Sequence, residues 1–244
     1  MTKKNLIRRL GLLLPLLPKK MQPRLRMQVI RALAPPGLQL GNDVYIEDPD
    51  CFTLVGPGAG ITIGDETIFW GKSSVSAYIK GRISVGRRCY VASNARIGCR
   101  DRIEIGHHVL LSWDLTIFDY EHHPVENKLR QKQLDFMTPE FNPFCQEKRG
   151  LTKEDIDFFT TYWDNDAIFE HAPVRIGNNC WIGYGVSIMK GVTIGDNTIV
   201  AAKSVVVKSL PPDCIAAGNP AKVVREIQKP FEPAGHHPAK NSPG

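Results

Sequence analysis

The chain has 244 residues, 42% of them hydrophobic, and a formal net charge of +6. That is room for one large domain or two small ones with a buried core. No stretch approaches the roughly 20 apolar residues of a spanning helix, which excludes a helical membrane-embedded protein. The charge is uneven: nine Lys and Arg and no acid fall in the first 42 residues, which leaves 22 bases against 25 acids, a balance of −3, for the rest. The body of the chain is therefore mildly acidic and its basic character belongs to the N-terminal segment.

Residues 1–40 read as partly helical. Leu25, Val29, Ile30 and Leu33 mark one face, Arg24 and Arg31 lie elsewhere, and Ala34-Pro35-Pro36-Gly37 ends the pattern. Two compatible readings stand: a helix that caps the end of the following domain, and a basic amphipathic segment resting on anionic lipid. The segment has no aromatic residue for base stacking, so nucleic acid is not expected as a partner. The apolar run at 10–17 follows Lys3, Lys4, Arg8 and Arg9 as in a signal peptide. Pro15 interrupts it, however, and Pro18-Lys19-Lys20 follows with no small-x-small cleavage site. The expectation is a cytoplasmic protein, at the inner face of the membrane if the lipid reading holds.

From about residue 41 to 210 a six-residue period governs the chain. Ile61-Thr62-Ile63-Gly64-Asp65 is the first clear corner. Val85, Val91 and Ile97 continue the pattern, and Ile105, Leu111 and Ile117 resume it after a step of eight, where a corner carries two extra residues. The period is strict from Ile176 through Ile182, Ile188, Ile194 and Val200 to Val206. A second small or apolar set lies two residues earlier: Val174, Cys180, Val186, Val192, Thr198 and Ser204. A helix repeats near 3.6 and a strand at 2. Six fits a short strand plus a tight corner, stacked around one narrow core. Gly64, Gly86, Gly106, Gly177, Asn178, Asn179 and Gly195 suit corners that need positive φ.

Between 126 and 172 the repeat gives way to a long polar loop, in which Thr152-Lys153-Glu154-Asp155 starts a short helix. Loops of this length inside a compact domain are functional or disordered. Pro211-Pro212 ends the repeat. Residues 211–230 read as a closing segment with a short C-terminal helix at 221–228, and 231–244 as a disordered tail. The six cysteines (Cys51, Cys89, Cys99, Cys145, Cys180, Cys214) include no C-x-x-C pair, and Cys180 falls at an inward repeat position. They read as small apolar fillers in a reducing compartment.

Four stretches resemble the hexapeptide-repeat acyltransferases: Ile-Gly-Asn-Asn-Cys-Trp-Ile-Gly (176–183), Lys-Gly-Val-Thr-Ile-Gly-Asp-Asn (190–197), Ala-Ala-Lys-Ser-Val-Val (201–206) and Ala-Gly-Asn-Pro-Ala-Lys-Val-Val (217–224). Trp113-x-Leu-Thr-Ile-Phe-Asp-x-x-x-His123 resembles the branch that acetylates sugars and polysaccharides. The likeness covers roughly 55–125 and 173–227. It implies an all-β fold, a left-handed parallel β-helix, whose hand runs against the usual right-handed crossover. It also implies a homotrimer with active sites between neighbouring subunits, acetyl-CoA as donor, and a sugar hydroxyl of capsule, exopolysaccharide or lipopolysaccharide as acceptor. A lipid-linked acceptor would suit the basic N-terminus. The chain departs from the family pattern at Lys203, where Gly is common, at Val207 for Thr, at Tyr120 for His, and in its long insertion.

On that resemblance His123, just before Pro124, is the general base, with His122 its rival one residue away. A neutral imidazole with an unperturbed pKa of about 6.5 is suited to take a hydroxyl proton at cellular pH. Transfer is then direct, with backbone amides stabilising the oxyanion. Asp119 orients the imidazole or turns a corner; Asn94 binds the acceptor or turns a corner; Trp113 lines the acceptor cleft or packs on a neighbouring subunit. Tyr184, Ala202, Lys208, Lys222 and Arg225 match donor positions. The small Ala202 lets the pantetheine arm pass close to the backbone, and the three bases meet the CoA phosphates.

Other readings stay open: N-acetylation of an amino sugar, a metal enzyme on the same fold like the γ-type carbonic anhydrases, and a non-catalytic scaffold. The metal reading needs three His on neighbouring coils. His107-His108 and His122-His123 are instead adjacent pairs, whose members point to opposite faces of a strand, so no metal is expected. Nucleotide-sugar pyrophosphorylases need an upstream nucleotide-binding domain, for which residues 1–40 are too short.

Overall fold

The computed structural model describes residues 22–141, 151–160 and 170–227. Its strands lie in three sheets, parallel except for one closing hairpin, that form the sides of a prism. The first side stacks Leu38–Leu40, Gly60–Ile63, Arg82–Val85, Arg102–Ile105, Val174–Ile176 and Thr193–Ile194. The second stacks Tyr45–Ile46, Ile68–Phe69, Tyr90–Val91, Leu110–Leu111, Trp181–Ile182 and Ile199–Val200, then the hairpin. The third stacks Phe52–Val55, Ser74–Tyr78, Arg96–Cys99, Thr116–Phe118, Ser187–Ile188 and Val205–Val206. This is the left-handed parallel β-helix that the resemblance implied.

The period of six is one inward residue per side. Ile176, Ile182 and Ile188 stand on sides one, two and three, and pair in register with Ile194, Val200 and Val206 of the next coil. The same columns run upward: Ile63, Val85 and Ile105 on the first side, Phe69, Val91 and Leu111 on the second, Val75, Ile97 and Ile117 on the third. All are buried. Stiff β-branched side chains dominate because they fill a pleated inner surface with little loss of rotamer freedom.

Every departure from six falls at one edge. Within each coil the inward residues keep the spacing, as in Leu40, Ile46 and Phe52 or Val85, Val91 and Ile97. From the third side to the next first side the steps are irregular: 52 to 63, 75 to 85, 97 to 105 and 117 to 176. The step of eight is therefore a corner with extra residues, and the long insertion leaves from the same edge.

The corner glycines need correction. Gly64, Gly86, Gly106, Gly177 and Gly195 do not adopt positive φ; that conformation belongs to Glu66, Arg88, His108, Asn179 and Asn197 two residues on. The glycines are needed instead because coils approach closely: a Cβ on Gly64 would lie 2.6 Å from the carbonyl carbon of Gly86.

Helix α1 (Gln22–Leu33) covers the first coil. Met27 and Ile30 enter the core, and Arg26 and Arg31 donate to the carbonyls of Glu47, Leu40 and Gly41. The capping reading of this segment is the one these contacts fit. Inside the insertion lie α2 (Asn127–Phe141) and α3 (Lys153–Thr160). The start of α3 is capped as expected, Thr152 Oγ1 accepting from Asp155 N at 3.2 Å and Asp155 Oδ2 accepting from Thr152 N at 3.0 Å. The helix α2 was not expected from the polar stretch that forms it.

The C-terminal helix expected at 221–228 is replaced by a strand. Ala221–Glu226 pairs antiparallel with Cys214–Gly218, turning at Gly218 with φ +106. Adjacent β-branched Val223 and Val224 favour the strand over a helix. Cys51, Cys89, Cys99, Cys180 and Cys214 are free and buried, and burial pushes the Cys180 thiol up to about 11. Cys145, the run at 10–17 and the tail at 231–244 lie outside the described residues. Among the described residues no helix is long and apolar enough to cross a membrane.

Candidate active site

The strand Thr116–Phe118 carries alternation into the segment that follows. Ile117 points in and Asp119 points in after it, 0% exposed. Its carboxylate accepts from the backbone N of Arg100 (2.8 Å), Asp101 (2.9 Å) and Arg102 (2.7 Å) and from Cys99 Sγ (3.2 Å). Burial pushes its carboxyl up, partly offset by those amides. The expected orienting role for Asp119 is therefore replaced: it locks the corner at 99–102, and its oxygens are taken up there and not by either histidine.

Phe118, Tyr120 and His122 lie on the outer side. The His122 ring sits edge-on to Phe118 (4.4 Å between centroids) and tilted on Tyr120 (4.6 Å). Burial holds its imidazole below the usual basicity, reinforced by the neighbouring His123 and by Arg100 and opposed by Glu121. His123 is exposed overall, but its Nδ1 lies 3.0 Å from Oε1 of Gln133, a side chain of α2 that is 2% exposed. With that oxygen accepting, Nδ1 carries the proton and Nε2 keeps a lone pair directed away from the helix.

A cleft of about 430 Å³ opens beside His122 on the outer face of the third side. Ser74, Ser76 and Tyr78 line it from one strand, Arg96, Gly98 and Arg100 from the next coil, and Phe118 and Tyr120 from the third. Gly98 leaves room for the Phe118 ring, which a Cβ there would strike. The insertion packs on the same aromatic wall through Leu129, Phe136, Met137, Ile156 and Phe158. Its base is pinned by a bridge between Tyr120 and His171, by Glu121 N to Glu170 O (3.0 Å), and by Ala172 N to Asp119 O (2.8 Å).

The remaining expected residues fall elsewhere. Trp113, Tyr184 and Ala202 form one column at the corner between the second and third sides, with Asn94 in the adjoining column of the same corner. It is stitched by Asp114 N to Ser93 O, Gly185 N to Trp113 O and Lys203 N to Tyr184 O at 2.7–3.1 Å. Asn94 is a corner residue with φ +62, its Nδ2 donating to Asp114 Oδ1 at 2.9 Å. Lys203 has φ +61, the conformation for which glycine is common there, and its Nζ lies 4.1 Å from the Tyr184 ring centroid. Lys208, Lys222 and Arg225 are exposed at the C-terminal end of the prism. In one chain the strand Thr116–Phe118 separates this column from the two histidines. His107 and His108 sit at yet another corner, His107 Nδ1 accepting from Arg87 N at 3.0 Å. Among the described residues no group of three or more His, Cys, Asp or Glu side chains is arranged to hold a metal.

Gln133, Arg96 and Arg100 were not singled out from the sequence. No local motif marks them, because Gln133 reaches the site only through the fold of the insertion.

A family profile described as bacterial transferase hexapeptide (six repeats) matches residues 173–208. The galactoside O-acetyltransferase of Escherichia coli strain K12 is 31% identical over 166 residues, 68% of this chain and 64% of that protein. The chain thus spans just under two-thirds of that relative, and about a third or less of other curated relatives that it matches. Among solved structures, the polySia-specific acetyltransferase NeuO superposes with a TM-score of 0.56 at 21% identity, covering 81% of this chain and 70% of NeuO. A point mutant of AntD, an N-acyltransferase from Bacillus cereus solved with dTDP and coenzyme A, gives 0.51 at 16% identity, covering 78% of this chain and 84% of AntD.

Proposed function

The chain belongs to the hexapeptide-repeat acyltransferase family, and from that premise we propose that it transfers an acetyl group from acetyl-CoA to a hydroxyl of a sugar in a surface glycan. The observation that carries the reading is the 3.0 Å contact between His123 Nδ1 and the buried carboxamide oxygen of Gln133; with that oxygen accepting, Nε2 is the nitrogen that takes a proton. The sugar hydroxyl gives its proton to Nε2 as its oxygen attacks the thioester carbonyl. The tetrahedral intermediate collapses with loss of the CoA thiolate, which recovers the proton from the imidazolium. Both reactants are held by the protein, so no covalent enzyme intermediate is needed. The galactoside O-acetyltransferase relative and the polySia-specific structural neighbour support a sugar acceptor.

The donor lies along the column of Tyr184 and Ala202, with its phosphates at Lys208, Lys222 and Arg225. Since that column and His123 lie on different edges of one prism, the complete site forms between copies. An apolar ladder supports this. Tyr45, Ile68, Tyr90, Leu110, Trp181, Ile199 and Ile215 stand in register on the outer face of the second side. Leu110 and Trp181 are each 50% exposed in the single chain. A surface of this kind is buried by another subunit, and three copies close the ring.

Replacing His123 by Ala tests the reading. Acetyl transfer, followed as free thiol release, is expected to fall by about 10²–10⁴, while calorimetry finds CoA affinity kept. Full activity in that variant and loss in His122→Ala would move the base to His122. Full activity in both would end the mechanism.

A further inference from the structure

Resting on the acyltransferase reading, we propose that the cleft beside His122 is the acceptor site for an acidic glycan, whose carboxylate or phosphate is bound by Arg96. Among the described residues its lining offers guanidinium groups, hydroxyls and aromatic rings, and no Asp or Glu. Arginine only donates hydrogen bonds, and Ser and Tyr hydroxyls donate or accept. The cleft is therefore rich in donors and matches a ligand rich in acceptors. A neutral sugar, whose hydroxyls must also donate, would leave the guanidinium without an anionic partner.

Arg96 is exposed, and its guanidinium makes no hydrogen bond or ion pair among the described residues. Its register neighbours on the sheet are Ser74 and Thr116, which carry no charge. Arg100 adds positive charge at the back of the cleft, its Cζ 5.4 Å from the Tyr120 ring centroid and 5.9 Å from that of Tyr78. Its field reaches His122, where it disfavours protonation. Beyond the first 42 residues the chain is net acidic, so an arginine-bearing cleft with no acid among its described lining residues does not reflect a generally basic surface. Tyr78, Phe118 and Tyr120 give flat surfaces for the C–H faces of a pyranose ring. The volume of about 430 Å³ suits a mono- or disaccharide.

The test uses the full chain with three probes: α-1,4-digalacturonate, its neutral counterpart galactobiose, and galactose 6-phosphate. Binding is read by saturation-transfer NMR and calorimetry, with CoA affinity measured in parallel. An acidic probe is expected to bind about tenfold or more tighter than galactobiose, with the advantage shrinking at high salt. The two acidic probes separate carboxylate from phosphate. Arg96→Gln is expected to abolish the preference while leaving the melting temperature and CoA affinity in place. Equal binding of acidic and neutral probes, or a preference that survives Arg96→Gln, overturns the assignment. CoA binding without an acidic preference sinks the cleft alone. An acidic preference without CoA binding sinks the acyltransferase reading and leaves the cleft standing.

Discussion

Side by side in the chain, Asp119, His122 and His123 end up with separate duties because a strand alternates its faces. Asp119 is turned inward onto three amides, while His122 and His123 are met by rings and by Gln133. A neutral amide fixes the tautomer of His123 without placing a charge beside it. Gln133→Glu should keep that tautomer and move the acid limb of the kcat/KM profile to higher pH, because a carboxylate stabilises the imidazolium. Gln133→Leu should lower kcat with CoA affinity unchanged; an unaltered profile in both variants would deny Gln133 its positioning role. His122 behaves oppositely. Burial disfavours its charged form, so the unfolded chain takes up that proton first as the pH falls below about 6.5. Folding stability is then intact above that pH and declines below it. Urea melts at pH 8 and pH 5.5 should show a smaller loss for His122→Phe than for the wild type. The histidine pair was singled out in the sequence through the family resemblance, which matches His123 just after a repeat strand. Gln133 was not, since only the fold of the insertion returns it over ten residues to the ring.

At the level of elements, the corner at 99–102 depends on a buried carboxylate. Asp119→Ala leaves one buried and two partly buried amides without an acceptor, a loss of about 2–5 kcal/mol. Calorimetry should find a lower melting temperature, and activity per folded molecule should survive below that temperature. Strands and columns were legible because period six is tied to one inward residue per side. The start of α3 was legible through its cap. By contrast α2 has a weakly amphipathic, polar sequence, and its place is decided by Phe136 packing on Tyr120. The hairpin at the C-terminal end was missed because a short segment with Ala, Lys and Arg reads as helix until the edge of the second side offers a strand to pair with.

Across the molecule, each side of the prism has its own character: the second carries the outer apolar ladder, the third the cleft, and the corner between them the proposed donor column. Trp181→Glu places a charge in the middle of the ladder, and sedimentation should show a shift from the assembled species to single chains. Activity should fall with it, since in the proposed arrangement neither edge completes the site alone. An unchanged sedimentation coefficient would move the contact to another face. Assembly was legible only through family likeness. Repeat spacing tells which residues point inward and is silent about which outward ones meet a partner.

Because all length variation is confined to the passage from the third side to the first, that seam works as a slack joint in an otherwise rigid spool. New chain can be let out there without disturbing the winding, and the longest length let out packs over the aromatic wall beside the histidines. Such a molecule can trade one acceptor for another by lengthening or swapping a single flap, with its core and its proposed donor edge untouched.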